Sequence, residues 1–207
     1  MSVFFGTPSY DKALSVDYTR SMIETAILLT KMGQEMYHHV KAGDCFLGKA
    51  RNDIVNAFLA TDATDLVFID ADVGFDAKAI PRILSYEQEI VGGLVPKRDT
   101  ESDSTYHQNA LTGKIEDGLF QALELPTAFM RIKRSAFAKL KMPYFRAESS
   151  ETEYGEDIYF CRRWTEIGEY LWVDSDITFT HRGSRAWTGN FYEHCVSQGL
   201  LKRAHVE

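Results

Sequence analysis

A chain of 207 residues is long enough to bury one hydrophobic core and short for two domains. Its apolar fraction of 44% and charged fraction of 26% are ordinary for a soluble globular domain, and the lack of any run of about eighteen apolar residues predicts no membrane insertion. A net charge of −7 argues against nucleic acid and anionic membranes as partners, although Lys97-Arg98 is a candidate for a local basic patch.

The three cysteines are widely separated and lack the close spacing of a metal site, so we expect them to be reduced thiols. The N-terminal stretch has no basic region followed by an apolar one, which is the pattern of a secretory signal. Both features favour a cytoplasmic protein.

Along the first half of the chain, short apolar runs alternate with apolar residues at helical spacing. The expected elements, in order, are a strand at 3–5, a helix at 16–32, a strand at 35–40, a helix from a cap at Asp44 to Leu59, a strand at 66–69, a helix from a cap at Asp76 to Leu84, and a strand at 90–94. Such alternation indicates right-handed βαβ units and a mostly parallel sheet flanked by helices.

The alternation stops after Pro96. Residues 97–118 predict a loop with short strands over the ligand crevice, and residues 147–154 predict a mobile acidic segment. The remaining expected elements are strands at 120–125 and 128–132, a helix at 134–140, a helix from 155 to a stop at Gly168, strands at 170–173 and 177–180, and a short helix within 190–203. We expect an α/β fold in one domain, 1–207, with a small antiparallel portion in its C-terminal half.

Two carboxylates, Asp70 and Asp72, directly follow the predicted buried strand at 66–69. The ligand crevice of an open α/β sheet lies beyond the carboxyl ends of its strands, where paired acids can hold a divalent cation that in turn holds phosphate. The same acids could instead turn the chain and cap the next helix. Asp174 and Asp176 also follow an apolar run, so spacing alone does not decide.

Further candidates come late in the chain. Glu156 and Asp157 open a predicted helix, where the macrodipole favours acids, but Asp157 could also take a proton from an attacking hydroxyl as a general base. His181 follows a short strand. A structural role is the commoner one for such a histidine, whereas a neutral imidazole could complete a metal site on Asp72 and would favour Mn²⁺ over Mg²⁺.

Two stretches belong to the same edge of the predicted sheet. Residues 6–10 follow the first strand and are explained by an ordinary βα loop. Arg51 lies on a predicted helix near that edge, where an arginine is most often solvated or paired at the surface.

Taken together, six stretches resemble the GT-A class of nucleotide-sugar-dependent glycosyltransferases, most of all the small enzymes of chlorella viruses. The matching stretches, in order, are 6–10, 68–72, 91–97, 127–130, 154–157 and 181–183. They span nearly the whole chain, and their order and separation carry the resemblance. It implies a single GT-A-like domain with a nucleotide-binding half at about 1–96 and a donor-sugar and acceptor half at about 97–207, in the host cytoplasm if the protein is viral.

The resemblance also implies roles for individual residues. The metal ligands would be Asp72 and His181, with Asp70 beside the metal or the ribose, and Asp157 would be the catalytic base. Asp174 and Asp176 come too late in the chain and are assigned to a turn. Donor-binding residues would be Thr7, Pro8, Tyr10, Arg51, Asp70, Ala71, Lys97, Thr127 and Ala128. The stretch at 126–128, usually glycine-rich in this class, is Pro-Thr-Ala here, which weakens the assignment of donor-sugar contacts there.

The implied reaction is an inverting transfer of a sugar from a nucleoside-diphosphate sugar to a hydroxyl of a glycan or glycoprotein. A UDP-sugar and Mn²⁺, or alternatively Mg²⁺, are expected because the class often uses them.

Three alternatives remain open. A haloacid-dehalogenase-type phosphotransferase would use Asp70 as nucleophile, but residues 73–75 fit it poorly and His181 would have no role. A sugar nucleotidyltransferase would need a glycine-rich, basic phosphate loop, which is lacking near the N-terminus. A non-catalytic carbohydrate-binding domain could use Trp187, Phe191 and Tyr192 to stack on sugars.

Overall fold

The computed structural model describes residues 2–98, 111–116, 118–147, 154–183 and 186–202, with the backbone alone at 186 and 187. The strands are β1 Ser2–Ser9, β2 Glu35–Ala42, β3 Asp65–Ile69, β4 Val73–Phe75, β5 Ile90–Gly92, β6 Leu111–Glu116, β7 Leu119–Ala122, β8 Phe129–Lys133, β9 Leu171–Asp174, β10 Thr178–Arg182 and β11 Ala186–Asn190. The helices are α1 Val16–Lys31, α2 Leu47–Leu59, α3 Ala79–Ser85, α4 Arg134–Lys139, α5 Glu156–Glu166 and α6 Phe191–Ser197.

An eight-stranded sheet in the order β2-β1-β3-β8-β5-β9-β7-β6 forms the centre of the molecule. β1 is parallel to β2 and β3, and β5 is parallel to β9. β8 lies antiparallel between β3 and β5, so β2, β1, β3, β5 and β9 all run in one direction. β6 and β7 add antiparallel pairs at the far edge. The predicted α/β architecture, mostly parallel with an antiparallel portion in the C-terminal half, is confirmed.

A second, antiparallel sheet in the order β11-β10-β4 was not predicted as a unit. β4 has only three residues and follows the Asp70–Asp72 turn directly. It pairs with β10 in a register that sets Val73 opposite His181. This sheet therefore brings His181, which is far along the chain, to the tip of β3.

Helices cover both faces of the large sheet. Along β3, Leu66 and Phe68 pack into a hydrophobic cluster with α2, α4 and α5, whereas Val67 and Ile69 pack into a second cluster with α1 and α3. This alternation is the two-residue period of a strand that is buried on both faces. The prediction of such a strand at this position is confirmed.

The stretch 6–10 was predicted to be a loop, and this was wrong for its first four residues. β1 continues to Ser9 and all eight of its residues are buried. Its position between two parallel neighbours explains the difference, because a central strand can bury polar residues that find partners. Thr7 does so with the hydroxyl of Tyr18 at 2.6 Å, and the Oγ of Ser9 donates to the carbonyl of Ala13 at 2.8 Å.

The predicted helices are present, but two of them begin later than expected. Asp44 and Asp76 were expected to be caps, whereas α2 begins at Leu47 and α3 at Ala79. Each carboxylate instead accepts a hydrogen bond from the backbone two residues ahead, which is an Asx-type turn before the helix.

Among the described residues, no helix has the length and apolarity needed to cross a bilayer. Most of the segment expected to be mobile, 148–153, lies outside the described residues.

Candidate functional site

The turn at 70–72 is fixed through its backbone by three different parts of the fold. The amide of Asp70 donates to the carbonyl of Ala128 at 3.0 Å, and the carbonyl of Ala71 accepts from the amide of Ser15 at 2.8 Å. The carbonyl of Asp72 accepts from the amide of Arg182, also at 2.8 Å. Both acidic side chains therefore start from a backbone that the fold holds in place.

Asp72 and His181 lie side by side, as the β4–β10 register requires. The Oδ2 of Asp72 is 3.5 Å from the Nε2 of His181, longer than an ordinary hydrogen bond of about 2.9 Å. The Nδ1 of His181 lies 2.7 Å from the carbonyl of Pro96 and must donate to it, since a carbonyl only accepts. In a neutral ring the Nε2 lone pair then faces the carboxylate.

This arrangement fits a metal ligand pair, because a metal-binding histidine typically donates its other ring N–H to a carbonyl or carboxylate. Burial opposes charge on His181, but Asp72 and the Pro96 carbonyl outweigh it and raise the pKa of the imidazole. Burial likewise opposes charge on Asp72, yet His181 and Arg98 lower its pKa.

The carboxylate of Asp70, the third predicted metal ligand, is bound to the Nη2 of Arg51 at 3.1 Å. In the parts of the chain that the structure describes, no group of three His, Cys, Asp or Glu side chains is arranged to hold a metal ion. The structure thus brings together two of the three predicted ligands, Asp72 and His181.

Arg51 is buried, with 2% of its side chain exposed, and it joins two distant acids. Its Nη2 donates to Asp70 at 3.1 Å, its Nε donates to Glu156 at 3.0 Å, and its guanidinium lies over the ring of Phe68. Its Nη1 is buried without a partner among the described residues. Arg51 therefore links the tip of β3 to the first residue of α5 from inside the fold, instead of lying at the surface.

Asp157, the predicted base, is the second residue of α5. Its Oδ1 accepts a hydrogen bond from the amide of Ile158 at 2.8 Å. Burial, and then repulsion from Glu156, raise the pKa of its carboxyl, against a smaller opposing effect of Arg51. A carboxylate with a raised pKa is a better proton acceptor than an ordinary aspartate, which suits general base catalysis.

A cavity of about 650 Å³ opens in front of the Asp70–Asp72 turn. Of the predicted donor-binding residues, Pro8, Tyr10, Asp70 and Ala71 line it, and Tyr10 is 70% exposed. The other lining residues are Ser9, Asp11, Ala13, Leu14, Ser15, Asp44, Cys45, Leu47, Asp72 and Arg98.

Three other predicted donor-binding residues, Thr7, Lys97 and Thr127, are not among the residues that line this cavity. Thr7 is fully buried and bonds to Tyr18, whose hydroxyl also lies 2.8 Å from the Nε2 of His38. Thr127 is buried, and its hydroxyl has no partner among the described residues. Lys97 is half-buried.

Sequence reasoning assigned no site role to Arg98 or Glu156. The Nη1 of Arg98 donates to the Oδ2 of Asp72 at 2.8 Å, and Glu156 is the second partner of Arg51. The only sequence signal for either was local, a basic dipeptide and a helix-capping acid, whereas their contacts span 26 and 105 residues.

The second Asp-x-Asp pair, Asp174 and Asp176, is bound to side chains of the fold. Asp174 accepts hydrogen bonds from Arg82 and from the hydroxyl of Tyr86, and Asp176 pairs with the same arginine at 2.8 Å. The amide of Asp176 donates back to Asp174 at 3.0 Å, which closes the predicted turn. These acids connect α3 to the end of β9.

A second cavity, of about 670 Å³, adjoins the first and shares Cys45 and Leu47 with it. It lies between the beginnings of α2 and α5, because Glu156 also lines it. Two of its lining residues are largely exposed to solvent, Phe46 at 70% and Met142 at 50%.

No protein-family model matches this chain, and no curated protein does. Among solved structures, A197 from STIV is similar with 21% sequence identity over 88% of this chain and 86% of that one, at a TM-score of 0.60. A glycosyltransferase involved in the glycosylation of the major capsid of PBCV-1 is similar at 9% identity, over 67% of this chain and 63% of that one, with a TM-score of 0.38. The first likeness shows a shared fold. The second is too weak to support a conclusion.

Proposed function

We propose that this chain is a metal-dependent glycosyltransferase that moves a sugar from a nucleoside-diphosphate sugar to a hydroxyl of a glycan or glycoprotein. The observation that carries the proposal is the convergence of separate elements at one edge of the sheet. Asp72 lines a cavity of about 650 Å³ and lies beside His181 of β10, and Arg51 links Asp70 of the same turn to Glu156 at the acidic start of α5. That volume lies within the range of small-molecule sites.

The donor would bind in this cavity. The exposed ring of Tyr10, next to Pro8, offers an apolar surface for the nucleotide base, and Asp70 lies within the same wall. We expect a UDP-sugar because the resembled class often uses one.

Asp72 and His181 would hold the divalent cation, Mn²⁺ or alternatively Mg²⁺. Such cations commonly take their remaining ligands from water and substrate phosphate, so two protein ligands suffice. When bound, the metal supplies Lewis-acid stabilisation of the charge that develops on the departing diphosphate.

Asp157 would act as the base. It accepts the proton of the acceptor hydroxyl while that oxygen attacks the anomeric carbon and the bond to the diphosphate breaks, which inverts the anomeric configuration. Arg51 and Glu156 fix the beginning of α5, and thereby Asp157, relative to the Asp70–Asp72 turn.

The acceptor would occupy the second cavity. This cavity shares the lining residues Cys45 and Leu47 with the donor cavity, and it is also lined by Glu156, which precedes the base. The exposed Phe46 offers a face on which the C–H groups of a sugar ring can pack.

The contacts of Asp70 argue against the phosphotransferase alternative. Its carboxylate, which would be the nucleophile, is bound to the buried Arg51. Trapping of a phosphoaspartate at Asp70 would favour that alternative instead.

Thermal-shift measurements with UDP-, GDP- and dTDP-sugars test the donor assignment. A ligand that binds only the native state stabilises it, by about 2.7 kcal/mol at a concentration 100 times its Kd, and so raises the melting temperature. We expect a shift with one class of nucleotide in the presence of Mn²⁺ and a smaller shift with EDTA. Equal shifts under both conditions would contradict a metal-dependent donor site.

A further inference from the structure

Arg98 is bound to the carboxylate oxygen of Asp72 that a metal ion would need. Its Nη1 donates to the Oδ2 of Asp72 at 2.8 Å, and the same Oδ2 is the one that faces the Nε2 of His181 at 3.5 Å. A cation bound between Asp72 and His181 would compete with the guanidinium for this oxygen, and the two positive charges would repel each other.

We propose that Arg98 exchanges partners during donor binding. Before the metal binds, Arg98 neutralises Asp72; once the metal is bound, Arg98 leaves that carboxylate and binds the diphosphate of the donor. This inference rests on the proposed function and adds to it a diphosphate-binding residue that competes with the metal.

The surroundings of Arg98 indicate why the diphosphate would be its second partner. Arg98 lines the donor cavity, and half of its side chain is exposed, so it can move. The other acids of the cavity already have partners. Asp70 is bound to Arg51, Asp44 to Lys49 at 2.8 Å, and Asp11 to the amide of Ala13 at 3.1 Å.

The chemistry of the guanidinium supports the same conclusion. Its planar fork of N–H groups matches two phosphate oxygens at once, which makes arginine suited to diphosphate. A diphosphate in the cavity would therefore offer Arg98 a partner at least as good as the single carboxylate oxygen it gives up.

The exchange makes metal and donor binding dependent on each other. Without nucleotide, Arg98 must lose its partner for the metal to bind, so it weakens metal binding. With nucleotide present, Arg98 gains the diphosphate, so it strengthens donor binding. Removal of Arg98 should therefore tighten the binding of Mn²⁺ alone and weaken the binding of nucleotide when the metal is present.

The test compares Arg98→Ala and Arg98→Lys with Arg20→Ala, which removes an equally positive, exposed side chain on α1 outside the donor cavity. Mn²⁺ affinity without nucleotide is measured by electron paramagnetic resonance of the free ion. UDP affinity at saturating Mn²⁺ is measured by calorimetry. Circular dichroism confirms that each variant is folded.

We expect Arg98→Ala to bind Mn²⁺ alone several-fold more tightly, and to bind UDP at saturating Mn²⁺ about tenfold or more weakly, as loss of a charged hydrogen bond predicts. Arg98→Lys, which keeps the positive charge, should show smaller changes in both affinities than Arg98→Ala, and Arg20→Ala should show neither change. A merely structural role for Arg98 would not produce opposite changes in the two affinities.

Unchanged or weaker Mn²⁺ binding in Arg98→Ala would overturn the inference, and so would unchanged UDP binding. If the wild type binds UDP with Mn²⁺ and hydrolyses the donor while either result is found, only the exchange is wrong. If the wild type shows no Mn²⁺-dependent nucleotide binding, the proposed function falls, and the exchange falls with it.

Discussion

Asp72 and Asp174 show how surroundings decide the role of a residue. Both belong to an Asp-x-Asp pair after a strand. The side chain of Asp174 is fully buried and is neutralised by Arg82, while that of Asp72 is 30% exposed and faces the donor cavity beside a histidine. A neutralised, buried acid stabilises the fold, whereas an acid at a cavity can still take a ligand.

Asp72→Ala should therefore abolish Mn²⁺-dependent nucleotide binding, because one of the two proposed protein ligands is lost. Asp174→Asn is the matched control. It should lower the melting temperature, since Arg82 loses a charged partner, and leave nucleotide affinity unchanged. Calorimetric titration of UDP with and without Mn²⁺ measures the nucleotide affinity of both variants, and thermal unfolding measures the melting temperature. Retained Mn²⁺ dependence in Asp72→Ala would rule out this metal site.

The carboxylate of Asp157 is proposed to take the acceptor proton. An amide cannot do so, and base catalysis of this kind contributes about 10²–10⁴-fold. Asp157→Asn should lose about that much turnover while its donor affinity stays unchanged. Steady-state kinetics and UDP binding, measured on the same preparation, check this. Full activity in the variant would remove Asp157 from the mechanism.

The pH dependence of turnover follows from the same residue. Asp157 is active only when ionised, so the rate should rise with pH through its pKa. Burial and Glu156 raise that pKa above the ordinary value of about 3.9. Glu156→Gln removes the neighbouring negative charge and should move the acid limb to lower pH, whereas the distant Glu166→Gln should not. A limb that stays in place in Glu156→Gln would mean that another group controls it.

At the scale of elements, the site depends on pairings that local sequence does not show. β4 is three residues long and contains a glycine, so it has no recognisable pattern of its own, and it becomes a strand only because β10 pairs with it. A Cβ at Gly74 would overlap Asp17 of α1, which explains the glycine. The acids at the tip of β3 and the start of α5 were visible in sequence, and so was Arg51, but its buried position as the link between them was not.

Arg51→Met should therefore affect both stability and turnover. Removal of one partner from a buried ion pair typically costs about 3–5 kcal/mol, because the remaining charge stays buried. Turnover of the folded fraction should also fall, because the beginning of α5 loses its link to Asp70. Denaturant unfolding and activity per folded molecule measure the two effects separately.

Arg131→Met is the control for this experiment. Arg131 is fully buried and donates to the carbonyls of Ile83, Tyr86 and Gln88, which precede β5. Its loss should destabilise the protein while leaving turnover of the folded fraction unchanged. If Arg51→Met behaves in the same way, its link to Asp70 and Glu156 serves stability alone.

For the whole molecule, the alternation of strands and helices was enough to predict the α/β class and the covered sheet. It could not give the strand order, because β8 inserts antiparallel between β3 and β5 through pairings more than 35 residues apart along the chain. The length of β1 was underestimated because polar residues in a central strand look like a loop until their partners are known. The assignment of residues 1–207 to a single domain stays a prediction.

The proposed reaction depends on a metal held at Asp72 and His181 that presents a sugar donor to Asp157. Release of UDP from UDP-sugars by the full chain, without an acceptor, tests it most directly, because water can replace the acceptor hydroxyl. We predict slow release that requires Mn²⁺, stops with EDTA, is lost in Asp72→Ala and persists in Asp174→Asn. Release that is independent of metal and unchanged in Asp72→Ala would contradict the proposed function, as would no release from UDP-, GDP- or dTDP-sugars.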